Sequence, residues 1–360
     1  MTAHYSPLRL QASSAELTAQ ICDVESVSGN EATLANLIED SLSGLDHLEV
    51  SRDGDAIIAR TNVGAPQRVI VAGHIDTVPV NQNLPTHVRD GYLWGRGTVD
   101  MKAGVAIALK LAAELSQPAY DITWVFYDHE EVDSALNGLG RISRVAPELL
   151  EADFAILGEP TNGVVEGGCN GTITVELKAS GVRAHSARAW KGVNAIHALT
   201  PALERLASYD AQTVTVDGLD YRESLSAVGV SGGVAGNVIP DEAILKVNYR
   251  FAPNTSADHA AQFLKEMFSD FELTVTDSVD GARPGLDAAL AEDFVRAVGS
   301  PAQPKYGWTD VSRFSALGIP AVNFGPGDSV LAHADDERVS VSQIEECEQA
   351  LRSWLSTPES

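Results

Sequence analysis

The 360-residue chain is poor in cysteine, in basic residues and in long apolar runs. Its three cysteines, Cys22, Cys169 and Cys347, are odd in number and far apart, and no Cys-x-x-Cys pair occurs. That excludes a disulfide framework and a zinc ribbon, and it fits a reducing, cytoplasmic compartment. Lys and Arg number 25 against 50 Asp and Glu, a formal charge of −25. Nucleic acid and anionic membrane surfaces both require a basic face, so neither is expected as a partner. The longest apolar stretch, Gly104 to Leu115, is too short to span a bilayer and contains Lys110. The first residues, MTAHYSPLRLQASS, lack a basic start followed by an apolar run, so no signal peptide is expected. The acid is spread along the chain and the apolar content is ordinary at 44%, which argues against disorder.

What the chain does have is length enough for two domains and a clear rhythm. Ser28-Gly-Asn-Glu31 reads as a capping box, with Leu34, Leu37, Ile38 and Leu42 at helical spacing behind it. Apolar runs at Ala56–Ala59, Val69–Ala72, Ile122–Tyr127 and Phe154–Leu157 read as strands, and Met101–Leu115 as a strong helix. Such alternation predicts an α/β domain with a mostly parallel sheet covered on both faces. Near Gly171 the rhythm changes to strand 172–179, helix 193–207, strands 224–230 and 243–251, helix 256–268 and strand 272–276. That β-α-β-β-α-β order is the ferredoxin-like pattern of a small α+β domain. Gly281-Ala-Arg-Pro-Gly285 reads as its exit linker, after which helix 286–298, strand 321–324 and helix 340–355 resume the first pattern. The predicted domains are therefore residues 1–171 with 283–360, interrupted by residues 172–282.

Histidines and carboxylates fall at the strand ends. Val69–Ala72 runs into Gly73-His74-Ile75-Asp76, Ile122–Tyr127 into Asp128-His129-Glu130-Glu131, and Phe154–Leu157 into Gly158-Glu159-Pro160. Asp100 sits just before the long helix, and His333 follows the strand 321–324. Sites in open α/β sheets form beyond the carboxyl ends of the strands, so five segments deliver imidazole or carboxylate to one edge. Imidazole and carboxylate without thiolate make a zinc-type donor set. Taken singly, each has an ordinary reading: a strand-end acid is usually a cap or a solvated charge, and Asp100 can serve as N-cap to the helix behind it. His4, His47, His87, His197 and His259 keep that ordinary reading. Glu130-Glu131 resists it, because adjacent carboxylates at a buried strand end repel unless a cation holds them.

These segments resemble the motifs of a known family. GHIDTVP from Gly73, LWGRGTVDMKAG from Leu93, HEE at His129, GEP at Gly158 and LAHADDE from Leu331 are similar to those of the M20 family of dinuclear zinc amidohydrolases. Within it, GVRAHSAR from Gly181, NVIPD from Asn237 and YGWTDVSRF from Tyr306 resemble the succinyl-diaminopimelate desuccinylases of actinobacterial type. Ala103-Gly104 stands where many members have two glycines. The resemblance implies a zinc-peptidase-like α/β catalytic domain with an inserted dimerisation (lid) domain. It implies two Zn²⁺ ions, for which Co²⁺ can substitute. His74, Asp100 and Glu159 would hold one ion; Asp100, Glu131 and His333 would hold the other. Asp76 would orient His74, as metal-bound imidazoles generally require. Glu130 would be the general base, and His185, otherwise an exposed loop histidine between Arg183 and Arg188, would supply the oxyanion donor.

The implied chemistry is demanding. Enzymes lower barriers by roughly 8–23 kcal/mol, and a positioned base supplies only about 10²–10⁴-fold, so the ions and an oxyanion donor must supply the rest. An N-succinyl amino acid substrate is anionic and needs a cationic patch within this acidic chain. Arg313 and Arg250 are candidates because guanidinium forks match carboxylates; Asn237 adds an amide donor, and Thr309 lies in the Arg313 segment. The leading expectation is hydrolysis of N-succinyl-LL-2,6-diaminopimelate by a homodimer. Acetylornithine deacetylation and dipeptide or carboxypeptidase cleavage are the nearest alternatives. A zinc-dependent scaffold without catalysis is a third, but it would have no use for Glu130 beside Glu131.

Overall fold

The computed structural model describes residues 5–356, so His4 lies outside the described residues. The chain divides into two compact units. The larger takes the sequence up to Gly167, Pro284–Gln303 and everything from Thr309; the smaller takes Gly168–Arg283 and Pro304–Trp308.

In the larger unit, β-branched and aromatic runs bounded by polar turns build an eight-stranded sheet. Its order is Glu49–Asp53, Ala56–Arg60, Asp121–Tyr127, Arg68–His74, Phe154–Leu157, Ala321–Asn323, Glu166–Gly167 and Gln303–Pro304. The four central strands, Asp121–Tyr127 through Ala321–Asn323, are mutually parallel. Antiparallel strands flank them at Ala56–Arg60 and Glu166–Gly167. The sheet is thus mixed and parallel at its centre, and the parallel strands are buried nearly throughout, as both-face coverage requires. His74 lies opposite Tyr127, and Leu157 lies beside Ala72 and Asn323, so the loops leaving these strands all emerge at one sheet edge.

Helices Ser14–Cys22, Lys102–Glu114, Ala289–Val298 and Val341–Leu355 share the core of this unit with the sheet. Lys102–Glu114 buries most of its side chains, including Lys102, whose Nζ donates to the carbonyls of Ile21 and Val24, both at 3.1 Å. It approaches the sheet at Gly104: a Cβ there would stand 2.1 Å from the Gly158 carbonyl oxygen. Glycine at this one position lets the helix lie against the loop that carries Glu159.

The smaller unit holds a four-stranded antiparallel sheet in the order Ser224–Gly232, Glu242–Phe251, Gly171–Ser180, Glu272–Val279. Its helices Ala195–Ala198, Thr200–Ala207 and Ala257–Met267 cover the face carrying Ile173, Val175, Leu177, Leu245 and Val247. The opposite face carries Thr172, Thr174, Asn248 and Arg250. This is the ferredoxin-like order.

Several sequence expectations need correction. The helix expected over 193–207 is broken into two, because Pro201 cannot donate and stands in the first turn of the second piece. Two hairpins were not foreseen: Thr213–Val216 with Leu219–Arg222, and His87–Arg89 with Tyr92–Trp94. Both turn on Asp-Gly pairs, Asp217-Gly218 and Asp90-Gly91, with positive φ at each residue. Gly281-Ala-Arg-Pro-Gly285 is not a loose linker, since Ala282 bridges to Cys169 within the smaller unit. Ser28 and Glu31 form no capping box: helix Ala32–Leu42 starts without a side-chain cap. The capping box that does form is Ser13 with Glu16, at the head of Ser14–Cys22. Among the described residues no helix is long and apolar enough to cross a membrane.

Candidate metal centre

His74 ends its strand with the imidazole fully buried. Its Nδ1 lies 3.1 Å from the main-chain oxygen of Asp76 and 3.4 Å from that residue's Oδ1. Two acceptors on one side place the proton on Nδ1 and turn Nε2 toward Asp100, whose Oδ1 is 3.2 Å away. The Tyr127 ring packs edge-on against the imidazole, with centroids 6.2 Å apart. Asp100 caps no helix: the Lys102–Glu114 helix begins behind Met101 without a side-chain cap. Its second oxygen lies 3.3 Å from His333 Nε2, which is also 3.0 Å from Glu131 Oε2. One ligand atom each from His74, Asp100 and Glu131 lies within 4.8 Å of the others.

Asp76 is the hub behind this cluster. Its carboxylate accepts the main-chain N–H of Glu130 and of Glu131, each at 3.0 Å, and the Ser28 hydroxyl at 2.6 Å. Glu31 accepts the main-chain N–H of Gly29 and His129 at 2.9 and 3.2 Å. The Ser28–Glu31 segment, expected to cap a helix, therefore braces the His129-Glu130-Glu131 turn instead. His129 and His333 both have left-handed backbone, φ 58° and 63°, a conformation that a packed surrounding must enforce. Arg141 supplies part of that surrounding by gripping both oxygens of Asp128 at 2.9 and 3.2 Å.

The crowding sets the electrostatics. Burial alone would raise the Asp76 carboxyl, but the His74 hydrogen bond and charge, Ser28 and the Glu131 amide bring it down to about 2. Burial and the neighbouring Asp310, Glu159 and Glu131 hold Glu130 well above the usual carboxylate range, against the opposing pull of His74. Hydrogen bonds to Asp100 and Glu131 push His333 up to about 10. Burial opposes protonation of His74, yet Asp100 and Asp76 raise it well above 6.5.

Other predicted residues are placed elsewhere. Glu159 is buried two residues beyond its strand, outside the three-residue group but within electrostatic reach of Glu130. Thr309 is buried, its hydroxyl donating to Asn323 Oδ1 at 2.8 Å. Arg313 pairs with the buried Asp310 and donates to the Ser134 carbonyl at 3.3 Å; Asn137 completes the Asp310 shell at 2.9 Å. In the smaller unit, His185 is exposed and pairs with Val238, beside Asn237, whose carbonyl accepts from Ser186 N at 2.9 Å. Arg250 is the penultimate residue of the strand Glu242–Phe251, with Nε donating to Asn248 Oδ1 at 3.1 Å. Sequence reasoning missed Ser28, Glu31, Arg96, Arg141, Asp310 and Glu337. Asp310 was visible beside Arg313, but a buried acid and a solvated one look alike in sequence.

The donor chemistry suits divalent metal. Five carboxylates (Asp76, Asp100, Glu130, Glu131, Glu159) crowd two imidazoles, all donors are nitrogen or oxygen, and borderline cations such as zinc take that set. The match to the model of peptidase family M20/M25/M40 spans residues 70–357. The chain belongs to that family. This M20 chain is 52% identical over 351 residues to a Mycobacterium tuberculosis protein named succinyl-diaminopimelate desuccinylase DapE, covering 97% of this chain and 99% of that one. It is 46% identical to the succinyl-diaminopimelate desuccinylase of Corynebacterium glutamicum, covering 94% and 95%. Among solved structures, a Staphylococcus aureus tripeptidase shares the fold at TM-score 0.78 and 23% identity, covering 97% of this chain and 98% of that chain. An M20 metallo-carboxypeptidase of Sulfolobus solfataricus does so at TM-score 0.78 and 15% identity, covering 95% and 98%. As a member of this family with desuccinylase homologues, the chain is a metal-dependent hydrolase of amide bonds.

Proposed function

We propose that this hydrolase cleaves the amide of N-succinyl-LL-2,6-diaminopimelate to succinate and LL-2,6-diaminopimelate. The substrate is supported by 46–52% identity, over nearly the whole chain, to proteins named for that reaction. The observation that carries the chemistry is the convergence of His74, Asp100, Glu131 and His333, with Glu130 held on the same turn by Asp76. Two zinc ions are the proposed cofactors, one on His74, Asp100 and Glu159, the other on Asp100, Glu131 and His333, with cobalt able to replace them. These residues would hold the ions, whose chemistry there would be to polarise the scissile carbonyl and to supply a water with its pKa lowered from about 15.7 to near 7.

The remaining work belongs to side chains. Glu130 takes a proton from water on its carboxylate and returns it to the leaving amine. Asp76 keeps the Glu130 turn and the His74 ring in register. Arg313, oriented by Asp310, and Arg250 are the proposed carboxylate readers, with Asn237 and Thr309 as polar contacts and His185 as oxyanion donor. The protein is proposed to be a cytoplasmic homodimer. Three buried free thiols support the compartment. The dimer is supported by the edge strand Ser224–Gly232, which exposes Val228 and Val230, and by the exposed Trp190.

The test is a comparison of purified, metal-loaded protein on succinyl-diaminopimelate and acetylornithine. Succinyl-diaminopimelate should be strongly preferred. Arg313→Lys, which keeps charge but loses the fork, should reduce turnover of the succinylated substrate more than of the acetylated one. Preference for acetylornithine, or equal losses in the variant, would refute the substrate assignment and the role of Arg313 respectively.

A further inference from the structure

Asp100 and His333 meet at 3.3 Å, yet each sits on a loop and neither is fixed by a strand. Between the two loops lies Glu337, whose side chain is 1% exposed. Its Oε1 accepts the main-chain N–H of Val99 at 2.8 Å and of Asp100 at 3.2 Å. Its Oε2 accepts Arg96 Nη1 at 2.8 Å, and its main-chain oxygen accepts Gly95 N at 3.0 Å. Arg96, also buried, turns its Nη2 to the main-chain oxygen of His333 at 3.3 Å. One carboxylate and one guanidinium thus tie the backbone of Asp100 to the backbone of His333.

A buried ion pair of this kind adds little net stability, because desolvating both charges offsets most of the attraction. What it fixes is position: joined to each other, the two side chains end on the main chain of Val99, Asp100 and His333. We infer that Glu337 and Arg96 form a positioning clamp that sets the separation of Asp100 and His333. It thereby bears on two ligands of the metal site that includes His333 but on only one, Asp100, of the other, whose His74 ends a parallel strand and whose Glu159 follows one closely. The inference rests on the dinuclear reading of the site, and its test separates the two.

Metal-free protein is titrated with Co²⁺ alone, monitored by visible absorption and calorimetry, for the parent, His333→Ala, Glu337→Gln and Arg96→Lys. The parent should show two binding events, and His333→Ala identifies the event that depends on His333. In Glu337→Gln that event should weaken by about 10–100-fold, with an altered cobalt spectrum, as loss of an outer partner typically produces. The other event, which shares only Asp100, should weaken clearly less. Arg96→Lys, whose single ammonium cannot reach both the Glu337 carboxylate and the His333 carbonyl, should give a smaller loss in the same event. If Glu337→Gln does not fold, Arg96→Lys decides alone. Unchanged affinities, or equal weakening of both events, overturn the clamp. A parent that binds fewer than two ions overturns the dinuclear reading and the clamp with it.

Discussion

Replacing Asp76 with Asn exchanges one carboxylate oxygen for an amide nitrogen and tests the hub of the site. The carboxylate is fully buried and surrounded by donors: Glu130 N, Glu131 N, the Ser28 hydroxyl and, at longer range, His74 Nδ1. An amide offers one oxygen and one N–H₂ group. If the oxygen faces His74 and Glu130, the N–H₂ group confronts Glu131 N–H, while the Ser28 hydroxyl can rotate to accept. One buried N–H is then left unpaired at about 1–3 kcal/mol. The electrostatics point to a similar loss: its surroundings bring the Asp76 carboxyl from 3.8 down to about 2, and at about 1.4 kcal/mol per pKa unit the charge contributes about 2 kcal/mol. Because the folded pKa is depressed, that contribution is complete above pH 4 and fades as pH falls toward 2. Urea unfolding of metal-free protein, monitored by the buried Trp124 and Trp354 of the larger unit, should show a deficit of about 2 kcal/mol that is flat from pH 5 to 8. With saturating metal, kcat should fall by about 10–100-fold, because the Glu130 turn loses its anchor. A variant with parental stability and parental kcat would show that the carboxylate is incidental to the turn.

Three further outcomes are expected. Glu130→Gln should retain both ions but lose at least about 100-fold in kcat, whereas Glu131→Gln should first lose metal; the reverse pattern of metal content would exchange their roles. Zinc binding to the metal-free protein at pH 7 should release protons, because His333, raised to about 10, and His74, also raised, carry protons there and must shed them to ligate. Those imidazoliums stabilise the metal-free fold below about pH 6.5, and the effect is lost as pH rises through 10, while zinc affinity climbs with pH. Calorimetry in buffers of differing ionisation enthalpy measures the release, and buffer-independent heats would contradict it. Mixing His185→Ala with Glu130→Gln protein under verified subunit exchange should restore activity if the partner subunit's His185 completes each site; continued inactivity would place His185 within its own subunit or outside the reaction.

The strands and their polar ends were legible because a buried parallel strand cannot hide its pattern: Val69–Ala72, Ile122–Tyr127 and Phe154–Leu157 are apolar but for Thr123 and run into histidine or acid. The ferredoxin-like order was legible for the same reason, since Ile173, Val175 and Leu177 alternate with polar residues across a one-sided sheet. What escaped was the supporting shell. Ser28 and Glu31 carry the spacing of a capping box, and local spacing cannot reveal that Asp76, distant in sequence, claims the Ser28 hydroxyl. Glu337 lies in Asp335-Asp336-Glu337 and reads as one more solvated acid; only its burial against Val99 and Asp100 distinguishes it. Arg313 was readable as a carboxylate fork, but its pairing with Asp310 was not.

The buried acids also change what the composition means. A net charge of −25 read as surface acidity excludes basic partners, but a set of these carboxylates points inward and none of that set is a proposed ligand. Asp76 stands behind His74 and the Glu130 turn, Asp128 behind His129 and Arg141, Asp310 behind Arg313, and Glu337 behind Asp100 and His333. Each carries a desolvation cost and offsets it through N–H, hydroxyl or guanidinium donors on residues that must not move. Neutral acceptors could satisfy those donors. Carboxylates add a negative potential that a divalent cation feels before any ligand touches it. On this argument the shell selects for a cation and fixes its ligands with the same atoms. Asp76→Asn and Glu337→Gln should therefore lower metal affinity through charge as well as geometry, and because both carboxylates are buried the loss should change little with ionic strength.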